Sequence, residues 1–307
     1  MDRAIRESSR RDEPLRTALL LRRGGRPEEA LELLERLWGE TVPEPGQEPS
    51  ELHLHSAELL SDLLQSRLED ASLEQGPRVN RLANLGFPGA QELLSAWFPA
   101  AASLVGQSAS VRALRAFLFE HAQTSETLVL WGESGAGHAL TARVLHALSR
   151  RVGFHEAYER APRHRLLAQV ERDLAAEGGT LYLSYAREPA DWEEVEELCE
   201  ARGARLVVGM VVPREPTLAG PSCELPALRD RFEDLPLLVE ELFARAERPG
   251  VTLSEGALEV MRMHDWPGNV RELANHVSRT VLTLQSEDVT LEEELLQGLY
   301  GLPGQTG

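Results

Sequence analysis

The residues of this 307-residue chain best spaced for chemistry are Gly132-Glu133-Ser134-Gly135-Ala136-Gly137-His138-Ala139. An apolar run before them, Leu128-Val129-Leu130-Trp131, predicts a short buried strand, and Leu140 to Ser149 after them reads as a helix. A glycine-rich turn between strand and helix is the setting of a phosphate-cradling P-loop. Backbone N–H groups and the helix N-terminus face an anion there. The P-loop pattern closes in Gly-Lys-Ser/Thr, whereas this turn closes in Gly137-His138-Ala139. The ammonium that reaches the outer phosphates is missing, and so is the hydroxyl that holds magnesium. His138 is no substitute: it is shorter than lysine and, with an ordinary pKa of ~6.5, mostly neutral at pH 7. All 32 basic residues are arginine, so no lysine elsewhere in the chain can stand in.

Other elements must position this turn. Gly178-Gly179-Thr180-Leu181-Tyr182-Leu183-Ser184-Tyr185 predicts a second strand, and Arg205 to Val212 (RLVVGMVV) a third. They alternate with helical stretches at Val111–His121 and Trp192–Ala201, the pattern of a parallel α/β sheet. Cys199 continues the apolar stripe of Trp192, Val195 and Leu198, which assigns it to packing; with Cys223 it forms neither a metal-ligand spacing nor a disulfide framework. Leu235–Arg245, Ser254–His264, Val270–Leu284 and Leu291–Leu299 then read as an all-helical run. Ser254 is placed as an N-cap, and Pro267-Gly268-Asn269 as a turn that opens the next helix.

The first 103 residues read as a helical appendage. Leu15–Arg23 and Pro27–Trp38 form a hairpin around Gly24-Gly25-Arg26, weakly similar to a tetratricopeptide unit, with Ala30, Leu31, Leu33, Leu34 and Leu37 on one face. A loop at Thr41–Ser50 and helices at Glu51–Leu68, Val79–Leu85 and Gly89–Phe98 are expected to follow. His53 and His55 are two apart, off any shared helix face, so no metal site is expected. Two readings of this region stay open, a structural domain and a partner-docking surface. Residues 1–103 carry 12 arginines against 18 acidic residues, and residues 104–307 carry 20 against 32. With a net charge of −18, neither part has the basic character of a phosphate-backbone binder. The charged N-terminal stretch lacks an apolar signal region, and no apolar run approaches the ~18 residues of a membrane span, so the expected compartment is the cytoplasm.

The landmarks from Leu104-Val105-Gly106-Gln107-Ser108 onward fall in one order. After the glycine-rich turn and the two strands come Leu225-Pro226-Ala227-Leu228-Arg229-Asp230-Arg231, then Glu233-Asp234-Leu235-Pro236-Leu237-Leu238, then Asp265-Trp266-Pro267-Gly268-Asn269-Val270-Arg271-Glu272-Leu273. This order resembles the AAA+ domain of the sigma-54-dependent transcriptional activators over about Leu104 to Thr290, with DWPGNVREL its most specific piece. The resemblance implies an α/β P-loop NTPase-like parallel sheet with a helical lid subdomain, preceded by a small all-α domain. The implied boundaries are 1–103, 104–232 and 233–307.

The same resemblance marks losses. The family's second strand ends in Asp-Glu, one residue positioning magnesium and the other polarising water; here Ser184 and Tyr185 stand there. Ser184 brings no full charge, and Tyr185, with an ordinary pKa of ~10, is no base near neutral pH. The interval from His138 to Gly178 is too short for the sigma-contacting GAFTGA loop, and the interval from Tyr185 to Arg205 holds one helix. After Val212, Arg214 does not match the context of the arginine fingers. Arg271 aligns with the lid arginine that reaches nucleotide phosphates, and a helix-start salt bridge is its structural alternative. Residues Gly132 to Ala139 with Arg271 are therefore a vestigial nucleotide site, with no catalytic residue and no metal ligand assigned. Nothing after Leu299 reads as a helix-turn-helix, so direct DNA binding is not expected.

The expected function is that of a regulatory or scaffolding relative of the activators without ATP hydrolysis. Its partner would be a protein, such as an intact AAA+ activator or a transcription component, with oligomerisation left open. No cofactor is required, and ATP or ADP without hydrolysis is the alternative. A working sigma-54-dependent ATPase would need substitutes for five separate parts.

Overall fold

In a computed structural model the chain divides into two compact units, Met1–Pro99 and Ala100–Gly307. The structure describes residues 26–41, 98–149, 151–158, 163–174, 179–186, 192–212, 216, 220–284 and 289–291. It also describes the single positions 15, 17, 18, 20, 21, 79, 80, 82, 83 and 94. The expected loop after Thr41, the helix at Glu51–Leu68, His53, His55, Arg214 and the stretch after Leu291 lie outside them, as does the side chain of Tyr185.

In the first unit, helix α1 (Pro27–Thr41) begins on a proline, whose fixed φ suits a first helical turn. Its Ala30, Leu31, Leu34, Leu37 and Trp38 are buried with Ala18 and Leu82 in one apolar cluster. That is the face the 3.6-residue periodicity of the sequence implies.

The second unit is built on a five-stranded parallel sheet in the order β2-β3-β4-β1-β5. Its chain order is α2 (Ala109–His121), β1 (Leu128–Gly132), α3 (His138–Ser149), β2 (Phe154–Tyr158), α4 (Arg163–Asp173), β3 (Thr180–Ala186), α5 (Glu193–Ala201), β4 (Arg205–Val211) and β5 (Ser222–Leu225). Strand β1 is buried along its whole length, as a central parallel strand with helices on both faces must be. On one face Val129, Trp131, Leu181, Leu183, Leu206 and Val208 pack with Leu166, Val170 and Val195 of α4 and α5. Helix α3 lies against β1, β3 and β4. Cys199 is buried in the same cluster, and burial pushes its thiol up to about 12, in keeping with a packing role.

A 3-10 segment (Leu228–Asp234) leads into the lid: α6 (Leu235–Arg245), β6 (Val251–Leu253), α7 (Glu255–Arg262), α8 (Asn269–Thr283) and β7 (Val289–Leu291). Ser254 does cap α7, its hydroxyl accepting from the Ala257 amide at 3.2 Å. The lid is not all helical, which corrects the sequence reading. Leu291, read there as the start of a helix, pairs with Leu253 in a two-stranded parallel sheet. The Leu291 side chain is buried against the lid core, so packing at this position goes with the strand pairing. Strands β2 and β5 were likewise not expected. The lid core centres on Trp266, fully buried, whose indole N–H donates to the Met261 carbonyl at 2.7 Å.

Candidate functional site

The turn from Gly132 to Ala139 has the backbone of a P-loop. Gly132, Gly135 and Gly137 have φ of 147°, 81° and 118°, values that glycine reaches without strain. A Cβ on Gly135 would lie 2.1 Å from the Gly268 carbonyl oxygen, so the lid turn rests directly on the loop backbone. Helix α3 starts at His138, and its N-terminus opens onto a cleft of about 350 Å³. Ser134, Gly135, Gly137, His138 and Ala139 line this cleft from the loop, Tyr182, Ser184 and Gly209 from the strand ends, and Arg245 and Arg271 from the lid. A narrower apolar recess of about 80 Å³ adjoins it, sharing Gly137, Leu140, Leu242, Arg245 and Val270 and reaching Leu104 and Val111.

His138 is buried, and its Nε2 lies 3.1 Å from the Met210 carbonyl oxygen on β4. A carbonyl can only accept, so Nε2 carries the proton and the ring is tied down onto the sheet. Desolvation lowers its pKa to about 4, with the charge of Arg271 adding to the effect. The lysine position thus holds a neutral imidazole, and Ala139 offers no oxygen beside it.

Ser184 is buried on β3, where its hydroxyl donates to the Ala157 carbonyl at a long 3.4 Å. It pairs in register with Gly209, and the register shifts between Ser184 and Ala186, so Tyr185 sits at an irregularity of the strand. A Cβ on Gly209 would approach the Tyr182 hydroxyl to 2.5 Å, so this glycine makes room for the tyrosine. A hydroxyl, that of Ser184, stands at the first of the two positions where the sequence resemblance implies carboxylates.

Glu133 does not face the cleft. Arg229 clasps its carboxylate in a bidentate pair, with one contact at 2.8 Å. The Arg229 hydrogen bond, with a smaller contribution from Asn269, holds its pKa down at about 2. Asn269 is fully buried at φ 52°, a left-handed conformation that asparagine tolerates better than most residues. Its Nδ2 donates to Glu133 Oε2 and to the Ser134 carbonyl, both at 3.1 Å, while its Oδ1 accepts from the Leu228 amide at 2.7 Å. One side chain therefore ties the lid to the loop and to the segment before the lid.

A second clamp is Asp234, fully buried. It accepts from the Gln107 and Ser108 amides and from the Ser108 hydroxyl, pinning the Leu104–Ser108 landmark against the lid entry. Arg271 reaches Ser134 Oγ at 3.5 Å, and among the described residues it has no carboxylate partner. Sequence reading placed Glu133 in the nucleotide loop and Asn269 in a helix-opening turn, but gave neither of them, nor Arg229 or Asp234, a role in fastening the lid to the loop. A local signal existed in the Gly268-Asn269 dipeptide, because an asparagine after glycine is prone to left-handed turns.

Residues 229–298 match the AAA+ ATPase lid domain family. The DNA-binding transcriptional regulator NtrC of Rhizobium meliloti (strain 1021) is 33% identical over 240 residues, covering 62% of this chain and 49% of NtrC. The transcriptional regulatory protein ZraR of Salmonella typhimurium is 28% identical over 264 residues, covering 66% and 57%. The chain carries an AAA+ domain related to those of the sigma-54-dependent activators. Its AAA+ fold is also that of NtrX from Brucella abortus in complex with ATP, with a TM-score of 0.52, 24% identity, and coverage of 84% of this chain and 66% of NtrX. This chain spans about half the length of the curated relatives it matches. Set on the AAA+ frame, the cleft lies between sheet and lid at the loop that follows β1, and among the described residues no group of three or more His, Cys, Asp or Glu could hold a metal ion.

Proposed function

We propose that this chain is an AAA+ regulator without ATP hydrolysis, acting in transcription as a scaffold that docks a protein partner. The observation that carries the reading is the pairing of His138 with the Met210 carbonyl. The residue at the phosphate-lysine position is neutral, buried and committed to the sheet. Ser184 and Ala139 supply neither the charge nor the free oxygen that fix magnesium at these positions in the resembled family. The family supports the transcriptional setting, since NtrC and ZraR are transcriptional regulators. The partner would be an intact AAA+ activator or a transcription component, docked on the N-terminal unit or on the AAA+ surface. DNA would not be contacted directly.

The reading is tested by steady-state ATP turnover with magnesium: the purified chain should stay at background, and sustained turnover would refute it. A further check restores the missing groups together as His138→Lys, Ser184→Asp and Tyr185→Glu. This variant should still give no sigma-54-dependent activation, because the interval between His138 and Gly178 leaves no room for a sigma-contacting loop.

A second reading, nucleotide held without hydrolysis, is favoured by the cleft itself and by Arg271, which projects onto the loop from the lid. Calorimetric titration with ADP and ATP separates it from a purely structural loop. No heat at millimolar nucleotide removes it.

A further inference from the structure

The narrow recess beside the cleft contains a charge that the rest of the site does not use. Its walls are mostly apolar, among them Leu104, Val111, Leu114, Leu238, Leu242 and Val270. Three ionisable residues line it, Arg231, Glu241 and Arg245, with Ser103 and Thr141 as its other polar residues. Glu241 and Arg245 pair with each other at 2.6 Å and cancel. Arg231 differs: it is only 6% exposed, and its guanidinium makes no hydrogen bond among the described residues, with Nε enclosed and unpartnered. The carboxylate that acts on it, Asp234, already accepts from the Gln107 and Ser108 amides and from the Ser108 hydroxyl. Asp234 also serves a second buried guanidinium, that of Arg115, which donates to the Leu104 and Gly106 carbonyls. Two buried cations therefore share one carboxylate, and one positive charge is left over at the wall of an apolar cavity. Buried polar groups are normally paired, and a buried guanidinium without a partner is costly.

We infer that the recess binds a small apolar monocarboxylate, its carboxylate against Arg231 and its hydrocarbon part against Leu104, Val111 and Leu238. The planar fork of a guanidinium matches a carboxylate, and one uncompensated positive charge matches a monoanion. The volume of about 80 Å³ takes roughly five to eight atoms of water size, the scale of a short branched-chain acid or of benzoate. A neutral ring in the same space would leave Arg231 unpaired. A phosphate dianion would bring more charge than one guanidinium cancels, against walls that cannot solvate the excess. The walls come from the Leu104–Val105 segment and α2 and from α6 and α8 of the lid, so an occupant bridges the lid and the α/β subdomain. The chain is then a sensor of a small acid, with lid attachment as its response. This goes beyond the function proposed above and does not rest on the absence of hydrolysis.

The test is calorimetry and thermal unfolding of the full chain with benzoate and isovalerate, against benzamide and acetate. Both larger acids should bind saturably and raise the melting temperature. Benzamide keeps the ring without the charge, and acetate keeps the charge without the apolar body. Each should bind at least about tenfold more weakly than benzoate. Arg231→Met should abolish the preference for benzoate over benzamide and keep the fold, since an apolar side chain of similar length replaces a buried, unpaired charge. If that variant does not fold, Leu140→Trp fills the recess from a position 36% exposed, leaves Arg231 in place, and should abolish binding of both acids. The inference is overturned by no heat from either acid at millimolar concentration, or by benzamide or acetate binding as tightly as benzoate. A benzoate affinity unchanged in whichever variant folds overturns it as well. ATP turnover would sink the function proposed above and leave this inference standing, whereas absent acid binding would sink this inference alone.

Discussion

The two ends of the glycine-rich loop have different surroundings in one short stretch of chain. At its far end, Gly137-His138-Ala139 offers no charge and no free hydroxyl to a ligand, and the one polar side chain is tied to the sheet. At its near end, Gly132-Glu133-Ser134-Gly135 is held by a buried asparagine, a bidentate ion pair and a direct backbone contact with the lid. The far end lacks a lysine and a hydroxyl at its last two positions, and the near end is fastened to the lid. The difference teaches that this loop is maintained as a joint between two subdomains. Its geometry is specified by protein atoms on the lid side, so its shape does not depend on a bound phosphate.

The largest effect should come from the joint. Asn269→Ala removes three hydrogen bonds, leaves the buried Leu228 amide unpartnered, and puts a Cβ without a helpful side chain at φ 52°. A loss of about 3–5 kcal/mol in urea unfolding is expected. Asn269→Gly restores the backbone freedom but none of the bonds, so it should recover only about 1 kcal/mol of that loss. Deuterium exchange should rise together at the start of α8 and in the loop. If Asn269→Ala costs less than 1 kcal/mol, the near end is no joint and the contrast with the far end dissolves.

Much of this architecture is legible in the sequence where the signal is local. Strands β1, β3 and β4 stand out because buried parallel strands are near-continuous apolar runs, and Ser254 declares its helix by its position before one. Strand β2 (FHEAY) is hidden because it is an edge strand with a mostly half-buried face, and it mixes polar residues accordingly. Strand β7 is three residues long, too short for any periodicity, and its Leu291 looks helical beside the acidic, leucine-rich stretch that follows. The losses at His138, Ser184 and Ala139 can be read directly, because each is a residue type that lacks a needed group. The joint cannot be read in this way. Glu133 and Arg229 are 96 residues apart, and Glu133 and Asn269 are 136 apart. Such pairings are fixed by topology, so a local pattern gives Glu133 only as a negative charge beside a phosphate site. The structure instead pairs it with Arg229 and Asn269.

The far end yields a pH signature of intermediate size. Burial depresses the folded pKa of His138 to about 4, below its ordinary 6.5. As pH falls, the unfolded chain takes up this proton first, so the favoured state shifts toward unfolded. The contribution is intact above about pH 6.5 and is lost progressively as pH drops through about 4, on the order of 2 kcal/mol over that window. His146 and His276 are also lowered by burial and act with the same sign. His138→Leu should therefore flatten part of the slope. At pH 7 it should cost about 1 kcal/mol for the lost bond to Met210. Chemical denaturation from pH 4 to 8 measures both quantities. An unchanged slope would mean that the imidazole is hydrated and still available to a ligand, bringing the two ends of the loop closer in kind.

The smallest effect should be that of the Glu133–Arg229 pair, although it is the most conspicuous contact at the joint. The two side chains remain 35% and 39% exposed, so water and salt compete for both charges. A double-mutant cycle with Glu133→Gln and Arg229→Ala should give a coupling of about 0.5–1 kcal/mol at low salt, falling toward zero at 1 M salt. The pH dependence has the opposite sense to an amine: with a folded pKa near 2, the pair stabilises above the ordinary carboxylate value of about 4.5 and fades as pH falls through about 2. Glu133→Gln alone should be mild, since its amide oxygen can still accept from Asn269 Nδ2. A coupling above about 2 kcal/mol that persists in salt would transfer the joint from the buried asparagine to the ion pair. The lid would then be held by a charge exchangeable with solvent ions, and its attachment would depend on ionic strength as the Asn269 bonds do not.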